Sequence, residues 1–220
     1  NGSTVDYYFT PTENKRYLFV LTDNDDRFPG LYQGDDKLSW FSYYSTVDGK
    51  MYLQTPVLEA GTKYDIYFTS REGETEIQFG FYDDIWHGAE EIDNAATGIM
   101  KKGYIEDETK YSRAKIYKIT VPEDGAYEYR VSGLNPTGIA DDDYDFDVDI
   151  YDEDGNWHSN QDSVPNWGGS SDACAFANLE AGKTYYLVLA NYSVDNAYEY
   201  TLSRTNLGIE LNSEKTLNWN

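Results

Sequence analysis

The chain has 220 residues, 40% of them hydrophobic and 16% aromatic, with 40 acidic against 17 basic side chains and a net charge of −23. That length and apolar content suffice for two packed domains. The charge repels phosphate backbones and anionic headgroups, which excludes nucleic acid and bilayer surfaces as partners, and no run of about 18 apolar residues offers a membrane span.

The first predicted strands are Tyr7-Tyr8-Phe9-Thr10 and Tyr17-Leu18-Phe19-Val20-Leu21, set either side of the polar turn Pro11 to Arg16 and rich in β-formers. After Thr22 to Asp26, a Gly/Pro-bearing loop runs through Gly30 and Gly34 and carries Tyr32 beside Gln33 and Asp35. Trp40 to Tyr44 reads as the next strand, with Trp40 in the core. Val47-Asp48-Gly49-Lys50 then closes a hairpin onto Met51-Tyr52-Leu53, because Asp-Gly supplies the positive φ of a tight turn. Leu58-Glu59-Ala60-Gly61-Thr62-Lys63-Tyr64 leads into Asp65 to Phe68, and Ile77 to Tyr82 alternates and ends the domain. From Asp83 to about Lys110 the alternation stops. This stretch, with Trp86 and His87 at its start and Gly98 and Gly103 within it, is expected to be a connection.

The second domain repeats the pattern. Ile116 to Val121 is a strand, Pro122-Glu123-Asp124-Gly125 its turn, and Ala126 to Val131 returns with Tyr127, Tyr129 and Val131 on one face. Asp141 to Tyr151 is an acidic strand closed by the turn Asp152-Glu153-Asp154-Gly155-Asn156. A long polar loop with Trp157, His158 and Trp167 follows. Leu179-Glu180-Ala181-Gly182-Lys183-Thr184-Tyr185 then rewrites the segment that began at Leu58, and Ala197 to Leu202 adds a strand. Short strands with turn signals every ten residues or so are the pattern of an antiparallel β-sandwich. The expected fold is therefore all-β, two tandem antiparallel, jelly-roll-like sandwiches. The expected domains are 1–88 and 89–206, with 207–220 leading to a further module; Asn1-Gly2-Ser3-Thr4 reads as a cut inside a longer chain.

The second domain resembles the bacterial pre-peptidase C-terminal (PPC) family. The likeness is carried by Glu90-Glu91-Ile92-Asp93-Asn94-Ala95, the strand and turn Ile119 to Gly125 with Tyr127, Asp147-Val148-Asp149-Ile150-Tyr151 with its Asp-Gly-Asn turn, and Leu179 to Val188. The resemblance implies a non-catalytic β-sandwich accessory of exported enzymes, in some members binding calcium and in others polymers. The first domain departs from it, with Trp40-Phe41-Ser42-Tyr43-Tyr44 where the second has Asp-Val-Asp-Ile. More loosely, a Tyr- and Asp-rich tandem of this kind is similar to the starch-adherence proteins of gut anaerobes.

Chemistry has few places to sit. The two histidines, His87 and His158, adjoin no nucleophile motif, Cys174 is alone and reads as a small buried residue, and no enzyme activity is expected. Along the acidic strand Asp145, Asp147 and Asp149 share one face about 7 Å apart. Three carboxylates so placed, with Asp143 and its neighbours from the preceding loop, are hard oxygen ligands suited to Ca²⁺, unless they are simply a solvated acidic face. Asp152 to Gly155 reads as a hairpin turn, since no Glu stands at the twelfth place of a calcium loop. The sugar-binding candidates are the loop tryptophans, because an indole offers an apolar face to a pyranose while amides and carboxylates meet its hydroxyls. They are Trp157 and Trp167 with His158, Asn160, Gln161, Asp162 and Asn166, then Trp86 and His87, with Tyr32 extending a platform, unless each loop tryptophan is instead a lid closing the end of its sandwich.

These residues lead to the expectation of a monomeric, secreted or bacterial cell-surface protein that binds a neutral polysaccharide, an α-glucan such as starch above all. The rival is a calcium-stabilised accessory module serving the neighbouring domains of a secreted enzyme; a second rival is a module for a protein fibre such as collagen.

Overall fold

The computed structural model of the chain describes residues 4–21, 30–38, 41–45, 50–69, 79–100, 104–106, 109–133, 146–159, 172–191 and 197–208, and every described element is a strand, a bridge or a turn. The chain divides into two compact units, residues 1–87 with 105–112, and residues 88–104 with 113–220. The strands in order are β1 (Thr4–Phe9), β2 (Leu18–Leu21), β3 (Gly30–Gln33), β4 (Asp36–Lys37), β5 (Phe41–Ser45), β6 (Met51–Gln54), β7 (Tyr64–Thr69), β8 (Phe79–Tyr82), β9 (Glu90–Ile92), β10 (Ala95–Met100), β11 (Tyr104–Glu106), β12 (Thr109–Thr120), β13 (Gly125–Ser132), β14 (Phe146–Asp152), β15 (Asp172–Leu179), β16 (Thr184–Asn191) and β17 (Tyr198–Asn206).

In the first unit one layer has the order β1-β7-β3-β4 and the other β5-β6-β2-β8, all neighbours antiparallel. Leu31, Tyr64 and Ile66 turn inward from the first layer, while every residue of β2 and β6 is buried, as expected of strands covered on both sides. Phe9 joins the layers. Its ring meets Tyr17 edge-on at 4.9 Å and Phe19 at 5.3 Å.

The second unit stacks β10-β17-β13-β15 against β14-β16-β12, with β9 running parallel to β12 as the sole described exception to antiparallel pairing. Tyr127, Tyr129 and Val131 alternate into its core as their spacing predicts, and meet Val148, Ile150, Leu187, Leu189 and Leu202 there. Tyr117 and Tyr200 join hydroxyls at 2.5 Å within that core. Burial holds the Tyr117 phenol well above the ordinary tyrosine range, with the bond to Tyr200 adding to it. The same burial pushes Tyr129 up to about 12 against a small opposing pull from Arg204.

The stretch expected to be a connection is sheet. Glu90–Ile92 pairs with Tyr117 to Ile119, and Ala95–Met100 pairs with Tyr198 to Ser203, sending Ala96 and Met100 inward. The loop read through Gly30 and Gly34 is likewise the strand pair β3 and β4, so Tyr32 sits in a strand. The hairpin onto Met51 is present, Ser45 N donating to Lys50 O at 2.9 Å; Trp40 lies outside the described residues.

Candidate functional site

The Leu-Glu-Ala-Gly corner that each half of the sequence carries is built by matching hydrogen bonds. Glu59 N donates to the Tyr64 hydroxyl at 2.9 Å and Glu180 N to the Tyr185 hydroxyl at 3.1 Å. Ala60 N donates to Asn14 Oδ1 and Ala181 N to Asp124 Oδ1, each at 2.7 Å. Gly61 and Gly182, at φ 77° and 72°, take the left-handed conformation that lets the chain turn there. The corners are scaffold, and the exposed side chains around them differ.

In the second unit β14 behaves as the acidic pattern predicts. Phe146, Val148 and Ile150 are buried while Asp147 and Asp149 lie on the other face. Past β14 the chain reverses through a turn tied together by one carboxylate. Asp152 accepts from Asp154 N, Asn156 N and Asn156 Nδ2 at 3.0, 2.8 and 2.9 Å, and Gly155 takes φ 79°. The returning chain then lies along β14: Trp157 bridges Tyr151, His158 N donates to Ile150 O at 2.7 Å, and Ile150 N donates to the buried Ser159 hydroxyl at 2.7 Å. This places the Trp157 indole over the acidic face, where Nε1 donates to Asp149 Oδ1 at 2.9 Å. Trp157 stays 51% exposed, while the His158 ring packs edge-on to the core residue Tyr185 at 5.3 Å. An indole held at its nitrogen and half exposed, on the face of β14 that also carries Asp147 and Asp149, can accept an apolar ring face and hydrogen-bond the polar groups around it.

Trp86 does not share that setting, and the expectation of an exposed ring there is corrected. It is 3% exposed. Asp84 Oδ1 accepts from Trp86 N at 2.9 Å, Gly88 reverses the chain at φ 83°, and Gln54 Nε2 donates to Ile85 O at 3.0 Å, which together turn the indole into the first unit. His87 is exposed and stacks on Tyr82 with centroids 3.6 Å apart. Tyr32 is half-buried, its ring edge-on to Tyr67 at 5.1 Å. Asn160, Gln161, Asp162, Asn166 and Trp167 lie outside the described residues, as do Asp143 and Asp145.

Of the carboxylates proposed for Ca²⁺, Asp149 is engaged by Trp157. Among the described residues no group of three or more His, Cys, Asp or Glu side chains is arranged to hold a metal. Cys174 is half-buried, with its thiol pushed up chiefly by burial. One feature had no signal in the sequence: a groove of about 620 Å³ on the outer side of β10, β17 and β13, lined by Thr97, Thr201, Ser132, Glu199 and Ile99. Gly98 and Gly133 are tightly packed there, since a Cβ would lie 2.8 Å from the Tyr200 hydroxyl at Gly98 and 2.8 Å from Glu199 O at Gly133.

No family model matches the chain, and no curated protein matches it. Among solved structures the chain is similar to the pre-peptidase C-terminal domain of a collagenase from Bacillus anthracis. The similarity has 20% identity and a TM-score of 0.34, and covers 53% of this chain and 94% of that domain. It is also similar to an anti-sigma factor domain-containing protein from Clostridium clariflavum, at 13% identity and a TM-score of 0.31 over 94% of this chain and 80% of that one. The PPC resemblance read from the sequence thus recurs among solved structures, as a likeness and nothing more.

Proposed function

We propose that this protein is a non-catalytic, extracellular carbohydrate-binding protein that takes a neutral polysaccharide, an α-glucan first, against Trp157. The observation that supports this reading is the state of that indole, half in water and held by Asp149. A free ring of this size on a loop would lose its rotational freedom on binding. Holding it beforehand lowers that cost, which is how preorganisation raises affinity. Asp147 and Asp149 stand on the same face as acceptors for a sugar's hydroxyls, and Trp167 with Asn160, Gln161 and Asn166 follows within ten residues of sequence. A net charge of −23 costs a neutral glycan nothing, whereas it disfavours uronate-rich or sulfated chains.

Native gels containing soluble starch, other glucans or xylan test the reading. The wild-type chain is expected to be retarded by at least one neutral glucan, and Trp157→Ala to lose most of that retardation. Asp149→Ala is expected to weaken it by a few-fold, because the ring stays but turns freely. Unchanged wild-type mobility on every glycan would overturn the proposal in favour of an accessory module without a ligand of its own.

A further inference from the structure

We infer that the first unit carries a glycan-binding face of its own, a tyrosine platform formed by Tyr8, Tyr67 and Tyr32 across β1, β7 and β3. The inference rests on the polysaccharide reading above, but on different residues in a different unit.

Strand register puts the three rings on one face. Tyr8 and Tyr32 both pair with Asp65, and Tyr67 pairs with Asp6 and Gly30, so all six positions project to the same side of the sheet. The alternate residues Leu31, Tyr64 and Ile66 fill the core, which leaves this side to water. Tyr8 is 74% exposed, far more than a tyrosine used for packing.

The rings are positioned. Lys63 Nζ lies 5.3 Å from the Tyr8 ring centroid and 2.7 Å from Asp65 Oδ1, so one ammonium is shared between a carboxylate and an aromatic face. Tyr32 lies back over Gly30: a Cβ there would sit 2.4 Å from the tyrosine's Cε2, so any other residue would lift the ring away from Tyr67. Glycine inside a strand is otherwise a loss, and here it makes room for an aromatic neighbour.

The surrounding charge chooses the ligand. Asp6, Asp65 and Asp35 all act on Tyr67, against Lys63 alone, and Asp6 above all holds its phenol above the usual tyrosine range. Like any tyrosine at neutral pH, Tyr67 offers its hydroxyl as a donor, here beside carboxylates that accept. Apolar ring faces with donors and acceptors at their edges, in a field where Asp6, Asp65 and Asp35 outnumber Lys63 and Lys37, the cross-strand partner of Tyr32, suit a neutral polyhydroxyl chain better than an anionic one. Together with Trp157 this gives two glycan sites per chain, and a polymer long enough to reach both gains from effective concentration.

Isothermal titration of the full chain with maltoheptaose, alongside starch-gel mobility, tests this. Two sites are expected in the wild type, one in Trp157→Ala, one in Tyr8→Ala/Tyr67→Ala, and none when all three are changed. Tyr8→Ala alone, at a position too exposed to endanger folding, is expected to weaken one site about fivefold or more and leave the other untouched. A single wild-type site that vanishes with Trp157→Ala and ignores the tyrosine variants would overturn the platform while leaving the Trp157 reading intact. Silence in both titration and gel would overturn the two together.

Discussion

Tyr64 and Tyr185 hold the same corner in two different units, each hydroxyl accepting from the backbone five residues earlier, yet the described tryptophan of each unit is placed in the opposite way. In the first, Trp86 is drawn inward by a turn that Asp84 and Gln54 fasten. In the second, Trp157 follows a turn that Asp152 fastens and is left over a row of carboxylates, half in water. The scaffold can thus be kept while the surface is reassigned, because the corner bonds run from backbone N–H groups to a tyrosine hydroxyl and one Asn or Asp side chain in each unit. The first unit instead leaves Tyr8 exposed on a sheet face.

The largest expected effect separates the two indoles. Trp86→Ala should cost about 3–5 kcal/mol, the price of a large cavity in a packed layer, whereas Trp157→Ala should change stability by less than about 1 kcal/mol and remove glucan retardation. Urea unfolding followed by circular dichroism, run beside the affinity gel, measures both. Equal losses would erase the distinction.

Alkali should act next, on the second unit. Tyr129, Tyr117 and Tyr200 are all raised above the free phenol value, burial being the first cause in each. Below about pH 10 both folded and unfolded chains keep these protons and nothing is lost. As pH climbs from 10 through 12 the unfolded chain releases protons that the folded one retains, so stability falls, on the order of 2–3 kcal/mol from Tyr129 alone. Unfolding midpoints measured from pH 8 to 12 should drop above 10, and Tyr129→Phe should flatten the drop.

The corners themselves come third. Tyr64→Phe and Tyr185→Phe each remove the acceptor of one backbone N–H and should cost about 1 kcal/mol, within a few tenths of each other. A large inequality in the two midpoints would show that the corners match in geometry and not in energy. The smallest effect is expected from chelation. Asp149 already bonds the indole and Asp152 its own turn, so EDTA should move the melting midpoint by less than about 1 °C. A rise of several degrees with added Ca²⁺ would return the β14 carboxylates to a metal role.

Strands with large alternating side chains are legible in the sequence. Tyr127, Tyr129 and Val131 point inward, as do Phe146, Val148 and Ile150, because apolar residues two apart have one face to hide. β15 was read as loop. Its inward residues are Ala173, Ala175 and Ala177, poor strand formers whose place is set by Val131, Tyr129 and Tyr127 directly across the ladder, small opposite large. β10, with Ala, Thr and Gly, is a strand for the same reason, in partnership with β17. At the site, the aromatic residues and their polar company could be named from sequence, as Trp157 and His158 were. The platform of Tyr8 and Tyr67 could not, because a strand in which both faces carry aromatic residues does not say which face is covered, and only the register with β3 decides it.

By itself the sequence determined the strand-rich class, the two corners and the acidic, sulfur-poor surface, since alternation, turn residues and charge are properties of neighbours along the chain. Tertiary structure alone decided that Trp86 is covered and Trp157 is not, and that Tyr8, Tyr32 and Tyr67 share one side of a sheet. Exposure is the area that distant segments leave uncovered, and a face is shared only when strands from different parts of the chain meet in register.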